Sequence, residues 1–246
     1  NAYTIAVDAA DATATAANLN SLNALTTVNV DADEVTTVTG ALSDLVTLYG
    51  SSGVSGLGNE TVSVSDSGSV AASDLSTVAS ANSSGTLAAS SVSTITGTAA
   101  EIIAAYASGV VDSGLGDEAI TVSGTATVAQ ANSINALTTG VVTATISEGD
   151  MSTLASLNDA ISGQSTDNAY TITITDTTVA AAALNTLNDK TTVAIVGTAI
   201  TTLTGTIAAV DTALDAGVAG TITGLGNEAV TLTDTSGVAV ADLNTL

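Results

Sequence analysis

The chain has 246 residues, of which 24 are acidic and only Lys190 is basic, so its formal net charge is −23. This surplus of carboxylates excludes nucleic-acid binding through lysine–phosphate and arginine–phosphate contacts, and it disfavours attraction to anionic lipid. Because the sequence contains neither histidine nor cysteine, it cannot build a Ser-His-Asp or Cys-His catalytic site. No continuous apolar run approaches the roughly 18 residues of a transmembrane helix, so we predict no membrane insertion.

Short alternating strands recur along the whole chain. The first is predicted at 2–7, and a close copy lies at 169–174. Three further copies, at 61–64, 119–122 and 229–232, each follow a Gly-Leu-Gly-Asn/Asp-Glu box. Equivalent apolar residues of these strands recur about every 58 residues, with one shorter interval, and a fixed period of that length indicates a repeat architecture. The equivalent residues are Ile5, Val62, Ile120, Ile172 and Val230.

Each repeat is predicted to contain two strand-plus-helix halves. In the unit 56–113, a strand at 61–65 precedes a helix at 70–81, and a second strand at 86–89 precedes a connector at 92–98. The last helix is predicted at 99–107, with Thr98 and Glu101 forming a capping box. Other copies of the first-half helix share Leu-Asn-x-Leu, including one at 243–246.

This pattern predicts an α/β fold, a repeat solenoid with parallel strands and short helical crossovers. The repeat is about 58 residues and comprises two coils. A right-handed parallel β-helix is the alternative fold, since the Ala- and Thr-rich helices would then be flat faces. We expect a single repeat array over 1–246, and we expect its ends to be covered by neighbouring coils or subunits. The approximate repeats are 1–55, 56–113, 114–167, 168–223 and a partial 224–246.

The glutamates of the glycine boxes are the first candidates for chemistry. Glu60, Glu118 and Glu228 hold one place in successive repeats. A pair of unlike carboxylates would suit a polysaccharide-acting enzyme, but a residue copied with its repeat favours a structural role on turn amides. We therefore predict no enzyme and no catalytic residue.

Calcium is the only cofactor for which the sequence offers candidates, because hard cations prefer several oxygen ligands. Neither an EF-hand loop nor a calcium β-roll nonapeptide is present, so these candidates are weak. They are Asp31, Asp33, Glu34, Asp117 and Glu118.

Threonine and serine are abundant, and flat threonine arrays can order water at ice. Here the hydroxyl residues are predicted to be scattered over both faces of the strands, without a sustained Thr-x-Thr at one position of the coil. Ice binding is therefore a minor alternative.

The motifs Leu-Asn-x-Leu, Val-Thr-Thr-x-Thr-Gly and Gly-Leu-Gly-Asn-Glu-Ala-Val occur throughout the chain, at 184–187, 35–40 and 224–230 among other places. In these motifs the chain resembles the repeat arrays of giant extracellular and cell-surface proteins of marine cyanobacteria, of the swimming-associated type. The resemblance implies an extracellular or surface location and a structural role. It carries no catalytic residues.

We therefore expect an extracellular structural protein that forms a fibre, filament or surface sheath by head-to-tail solenoid stacking. The expected partner is a second copy or a longer array, with no nucleic acid and no small-molecule substrate. A spacer or stalk of a large adhesin or passenger protein is the alternative function.

Overall fold

The computed structural model describes residues 1–107, 109–158, 167–235, 237 and 239–240. They form two compact units, Asn1–Thr121 and Val122–Leu246. Both units have an α/β architecture of mostly parallel strands in several sheets with short helices, and no closed barrel forms among the described residues. The predicted α/β class with parallel strands is thus confirmed.

The first unit alternates short strands and short helices. Strand β9 (Ala119–Ala126) contains the boundary between the units. After a 3₁₀ turn at Ala9–Asp11 come β1 (Thr13–Thr15), α1 (Ala16–Leu25), β2 (Val30–Asp31), β3 (Thr37–Gly40), α2 (Leu42–Tyr49), β4 (Val54–Ser55), β5 (Thr61–Val64), β6 (Ser69–Ala71), α3 (Ala72–Ala81), β7 (Thr86–Ala88), β8 (Thr94–Gly97) and α4 (Ala99–Ala105).

The second unit continues the same alternation of elements. They are α5 (Val128–Asn135), β10 (Val142–Ile146), α6 (Met151–Leu154), β11 (Ala169–Thr171), β12 (Thr178–Ala180), α7 (Ala181–Asn188), β13 (Ile195–Val196), β14 (Thr202–Gly205), α8 (Ile207–Ala219), β15 (Ile222–Thr223) and β16 (Ala229–Leu232).

Strands pair in parallel with the equivalent strand of the next strand-and-helix segment, and such a segment is called a coil below. In the first unit, Thr13 pairs with Thr37 and Thr37 pairs with Thr61. In the second unit, Thr178 pairs with Thr202 and Thr202 pairs with Ala229. The chain between paired strands carries a helix, as a parallel crossover requires, and one coil is about 25 residues long.

The core is made of regularly spaced small and medium apolar side chains. Leu42, Leu45 and Leu48 of α2 lie at every third position and are all buried, so this helix presents one stripe to the sheet. Small residues let neighbouring coils approach closely. A Cβ on Gly40 would lie only 3.1 Å from the Cβ of Ala16, a spacing that fits a core without Phe or Trp.

Several local predictions can be compared directly with these elements. The strand predicted at 2–7 is wrong, since this segment forms an isolated bridge between Ala6 and Asp31 and no strand. The capping box of Thr98 and Glu101 is confirmed, because both of its reciprocal hydrogen bonds are formed. The predicted connector at 92–98 is wrong, since residues 94–97 form β8 and pair in register with β6. The first helix of that unit begins at Ala72 rather than 70, because Ser69–Ala71 is a strand. The helix predicted at 243–246 lies outside the described residues.

Within the described residues, none of the helices combines the length and the hydrophobicity that a bilayer crossing requires.

Candidate functional site

The glycine box forms a tight turn at the start of β5. Gly56 has a φ of +87°, and a Cβ there would lie 2.5 Å from the backbone nitrogen of Asp33. Both the left-handed backbone and the close approach to the preceding coil therefore require glycine. Gly58, with a φ of +127°, turns its amide toward the side chain of Glu60.

Glu60 is fully buried, and its carboxylate is held from two sides. The Gly58 amide donates to both carboxylate oxygens at 3.0 Å, and the hydroxyl of Tyr49 donates to Oε2 at 2.7 Å. A buried carboxylate without such donors would be strongly unfavourable. Both donors bind carboxylate oxygens, so the Glu60 side chain serves as a hydrogen-bond acceptor within the fold.

The second glycine box repeats the arrangement. The Gly116 amide donates to Oε2 of Glu118 at 2.9 Å, and the hydroxyl of Tyr106 donates to the same oxygen at 2.8 Å. Burial, followed by the hydrogen bond to the glutamate and its negative charge, raises the pKa of both Tyr49 and Tyr106 far above the usual range of tyrosine. The prediction that the box glutamates satisfy turn amides is confirmed, and the tyrosine partner is a finding of the structure.

The third box lacks its tyrosine. The Gly226 amide donates to Oε2 of Glu228 at 2.7 Å, but the position nine residues after Gly205 is Leu214, whereas the position nine residues after Gly40 is Tyr49. Leucine has no hydroxyl to offer. A cavity of about 330 Å³ lies beside this carboxylate; Leu214, Val218, Leu225, Glu228 and Val230 are among the residues that line it.

Asn82 fixes the backbone of Glu60 from the next coil. Its Oδ1 accepts the Glu60 amide at 3.1 Å, and its Nδ2 donates to the carbonyl oxygens of Glu60 at 2.9 Å and Thr86 at 3.2 Å. Asn82 is itself buried at the C-terminal end of α3. The Asn82 side chain therefore joins two coils by hydrogen bonds to backbone groups.

Acidic side chains cap helices that belong to the preceding coil. The Leu42 amide at the start of α2 donates to Oδ2 of Asp66 at 2.7 Å, although the two residues are 24 positions apart. The residue before α2, Ala41, offers no side-chain cap. A carboxylate at this place satisfies an open amide and opposes the positive end of the helix dipole. The same link joins Val128 to Glu148, Met151 to Asp176 and Ile207 to Asp234.

Asparagines on the helices make a second kind of link. Nδ2 of Asn20 donates to the carbonyl oxygen of Asp44 at 3.0 Å, across from α1 to α2. Equivalent bonds join Asn132 to Ser156 and Asn185 to Ala209, and each of the three pairs is 24 residues apart. Sequence reasoning recognised the Leu-Asn-x-Leu motif but assigned no role to its asparagine.

The calcium candidates do not gather into one site. Asp31 lies in β2, and its Oδ1 accepts the Asp33 amide at 3.1 Å in a local turn. Glu118 is buried and accepts hydrogen bonds from Gly116 and Tyr106. Glu34 and Asp117 are exposed. In the part of the chain that the structure describes, no group of three or more His, Cys, Asp or Glu side chains has the arrangement of a metal site.

The single basic side chain has a local structural role. Nζ of Lys190 donates to the carbonyl oxygens of Ala155 and Leu157, which follow α6. A cation at this end of a helix satisfies open carbonyls and favours the dipole.

Threonines form ordered columns on the outer face of the first unit. Thr13, Thr37, Thr61 and Thr86 are paired in register on four successive strands. Two positions on, Thr15, Thr39 and Ser63 form a second column. The residues between the columns, including Val38 and Val62, are buried, so the hydroxyl residues share the opposite face. The expectation that hydroxyl residues are scattered over both faces is therefore wrong for these strands. The expectation of no sustained Thr-x-Thr holds for them, because the pattern is present in β1 and β3 but becomes Thr61-x-Ser63 in β5 and Thr86-x-Ala88 in β7.

Comparisons of the chain with protein-family models, with curated proteins and with solved structures found no match.

Proposed function

We propose that the chain is a structural repeat protein whose units are α/β solenoids, built by stacking the strand-and-helix coils. About two such coils span the 58-residue repeat of the sequence. In-register parallel pairing of strands from successive coils supports this architecture in both units. The helices between paired strands disfavour the β-helix alternative.

The observation that carries the proposal is that the buried and capping polar side chains bind backbone groups of neighbouring coils or of their own turns. Asp66 binds the amide of Leu42, and Asn20 binds the carbonyl of Asp44, in each case across one coil. Glu60 and Glu118 hold their own glycine turns. An enzyme needs one constellation of unlike groups, whereas here equivalent groups repeat with the coils and hold them together. The proposal therefore assigns no catalytic residue and no cofactor.

Assembly is the function that this construction supports best. β1 and β16 lie at the margins of their sheets, and a parallel strand at such an edge offers backbone groups to another strand. A contact that joins two different faces without closing generates an open filament. We therefore infer a head-to-tail fibre, filament or surface sheath.

An extracellular or cell-surface location fits the charge. At −23, copies repel one another in dilute buffer, but salt at roughly 0.15 M already limits exposed charge interactions to about 8 Å. Sea-water-like salt would screen them further and let the neutral contacts between coils decide assembly.

Sedimentation velocity over a concentration series in sea-water-like salt tests this function. Elongated species whose mass grows with protein concentration are expected. A monomer at every concentration would contradict self-assembly and would favour the spacer or stalk of an adhesin.

The threonine columns favour a second candidate, ice binding. Strands in a sheet lie about 4.8 Å apart, and alternate residues along a parallel strand about 6.6 Å apart, so Thr13, Thr15, Thr37 and Thr39 mark a regular two-dimensional grid of hydroxyls and methyls. Such a grid can order water. Thermal hysteresis of the full chain, lost in Thr37→Leu and retained in Thr47→Leu on the exposed side of α2, would support this activity. Equal freezing and melting points would exclude it.

A further inference from the structure

Tyr3 and Tyr170 occupy equivalent places but have opposite exposure. The Tyr3 amide donates to Oγ1 of Thr26, which in turn donates to the Tyr3 carbonyl. Tyr170 makes the same two bonds with Thr191. Yet Tyr170 is 0% exposed and Tyr3 is 56% exposed. The difference is explained by the preceding strand, since β11, which carries Tyr170, pairs with β10. This position is therefore built to be covered by a preceding coil.

The surface around Tyr3 is also apolar. Leu25 and Val28 lie on either side of Thr26, and their side chains are 62% and 41% exposed. The chain has a net charge of −23, so two copies repel each other over most of their surface. A neutral apolar surface with a hydroxyl is a place where a second copy can approach without this repulsion.

The cavity beside Glu228, called the groove below, has features that complement an exposed tyrosine. The other two box glutamates each accept a tyrosine hydroxyl, from Tyr49 and Tyr106, whereas Glu228 has Leu214 at that place. The groove wall includes Val218 and Val230, which are 91% and 39% exposed, although Val62, the counterpart of Val230 in β5, is fully buried. The groove therefore combines exposed apolar walls with a carboxylate that lacks the phenol its two counterparts bind.

We propose that Tyr3 of one copy enters this groove in a second copy and donates its hydroxyl to Glu228. The inference rests on the proposed head-to-tail assembly and names the contact that directs it. An ionised carboxylate can only accept hydrogen bonds, and a neutral phenol is the donor that the other two boxes use. The aromatic ring would cover the exposed valines while the hydroxyl completes the third box in trans.

The edge strands are compatible with the same contact. β16 reads Ala-Val-Thr and β1 reads Thr-Ala-Thr, so a parallel pairing of Ala229 with Thr13 would place Val230 beside Ala14. Within each unit the same inward position pairs Ala14 with Val38 and Leu203 with Val230. The proposed contact thus continues a register that both units already use.

Three single substitutions test the contact in sedimentation experiments on the full chain. Tyr3→Phe keeps the ring and removes the hydroxyl, and we expect apparent association to weaken about tenfold, as for a hydrogen bond to a charged group. Leu214→Tyr supplies the phenol within the same chain and fills the groove, so assembly is expected to be lost while the monomer stays folded. Thr212→Tyr adds the same side chain at an exposed position of α8 and serves as the matched control.

Cross-linking provides a measurement that does not depend on affinity alone. The chain contains no cysteine, so Ala2→Cys chains mixed with Val218→Cys chains can form disulfides only at the introduced positions. A disulfide between one chain of each kind is expected under oxidising conditions. Ala2→Cys mixed with Thr212→Cys is the control and should remain largely uncross-linked.

The outcomes separate the inference from the proposed function. If the wild type assembles but Tyr3→Phe and Leu214→Tyr assemble equally well, or if the cysteine pair does not react, the Tyr3 contact is wrong and self-assembly stands. If the wild type does not assemble and the pair does not react, both are overturned. Loss of assembly in Leu214→Tyr, with retention in Thr212→Tyr and a specific cross-link, supports both.

Discussion

The hydroxyl of Tyr49 donates a hydrogen bond to Oε2 of Glu60 at 2.7 Å, and Tyr106 does the same for Glu118 at 2.8 Å. Each bond joins the end of a helix to the glycine turn that begins the next strand. In both pairs a tyrosine hydroxyl and a glycine amide donate to a buried glutamate carboxylate. They also give the most direct test of the energetics of the fold.

Replacing Tyr49 should destabilise the fold, because the buried carboxylate of Glu60 then loses one hydrogen-bond donor. In Tyr49→Phe, Glu60 stays buried with one donor fewer, and we expect a loss of about 1.5–3 kcal/mol in the free energy of unfolding. Urea denaturation followed by circular dichroism measures it. Tyr3→Phe, at an exposed position, should change the stability of the monomer by no more than about 0.5 kcal/mol. Equal effects of the two substitutions would mean that the Tyr49 bond contributes nothing.

The same tyrosines predict a loss of stability at alkaline pH. Burial and the adjacent glutamates raise the folded-state pKa of Tyr49 and Tyr106 above the ordinary value of 10.0. Their contribution is fully present below pH 10, and it declines as the pH rises above 10 because the unfolded chain then releases protons that the folded chain retains. Urea midpoints between pH 8 and about 11 should show this decline, and the Tyr49→Phe, Tyr106→Phe double variant should show a shallower one. A wild-type midpoint that is constant over this range would contradict the assignment.

Removing an acidic side chain that caps a helix of the preceding coil should reduce stability about as much as removing an ordinary helix N-cap. In Asp66→Ala the Leu42 amide loses its hydrogen-bond partner, and we expect the free energy of unfolding to fall by about 1 kcal/mol. Asp66→Asn keeps an oxygen acceptor and should recover part of it. Glu34→Ala removes an exposed carboxylate and is the matched control. If Glu34→Ala proves as destabilising as Asp66→Ala, the effect is one of net charge and not of capping.

Calcium should leave thermal stability unchanged. Glu118 is already bound by Gly116 and Tyr106, and Asp31 accepts the amide of Asp33, so these oxygens are engaged without a metal. Calorimetric melts in calcium and in chelator at equal ionic strength should therefore coincide. A higher midpoint specific to calcium, abolished by Asp31→Asn or by Asp117→Asn, would reveal a site and locate it.

Local chemistry made part of this structure predictable from sequence. The Thr98–Glu101 capping box needs only residues three positions apart, and the role of Gly58 and Glu60 needs only a turn of two glycines. Parallel pairing followed from strands separated by helices. The helix end before Asn82 was likewise marked by the run of polar and glycine residues after it.

The missed features depend on which residues the coil length brings together. Asp66 reaches Leu42 only because the chain returns after 24 residues, whereas the sequence pattern showed the longer repeat of two coils. The same shorter period aligns Thr13, Thr37 and Thr61 into a column and pairs Thr94 with Ser69, which made a strand of an expected connector. An acid placed two residues after the last apolar residue of a strand, as Asp66 follows Val64, is the signal that identifies such links.

Negative-stain electron microscopy of the purified 246-residue chain in sea-water-like salt tests the central claim most directly. If the coils of one copy continue those of the next, the images should show fibres of uniform width whose length increases with protein concentration. Isolated particles of constant size at every concentration would contradict assembly as the function of this chain.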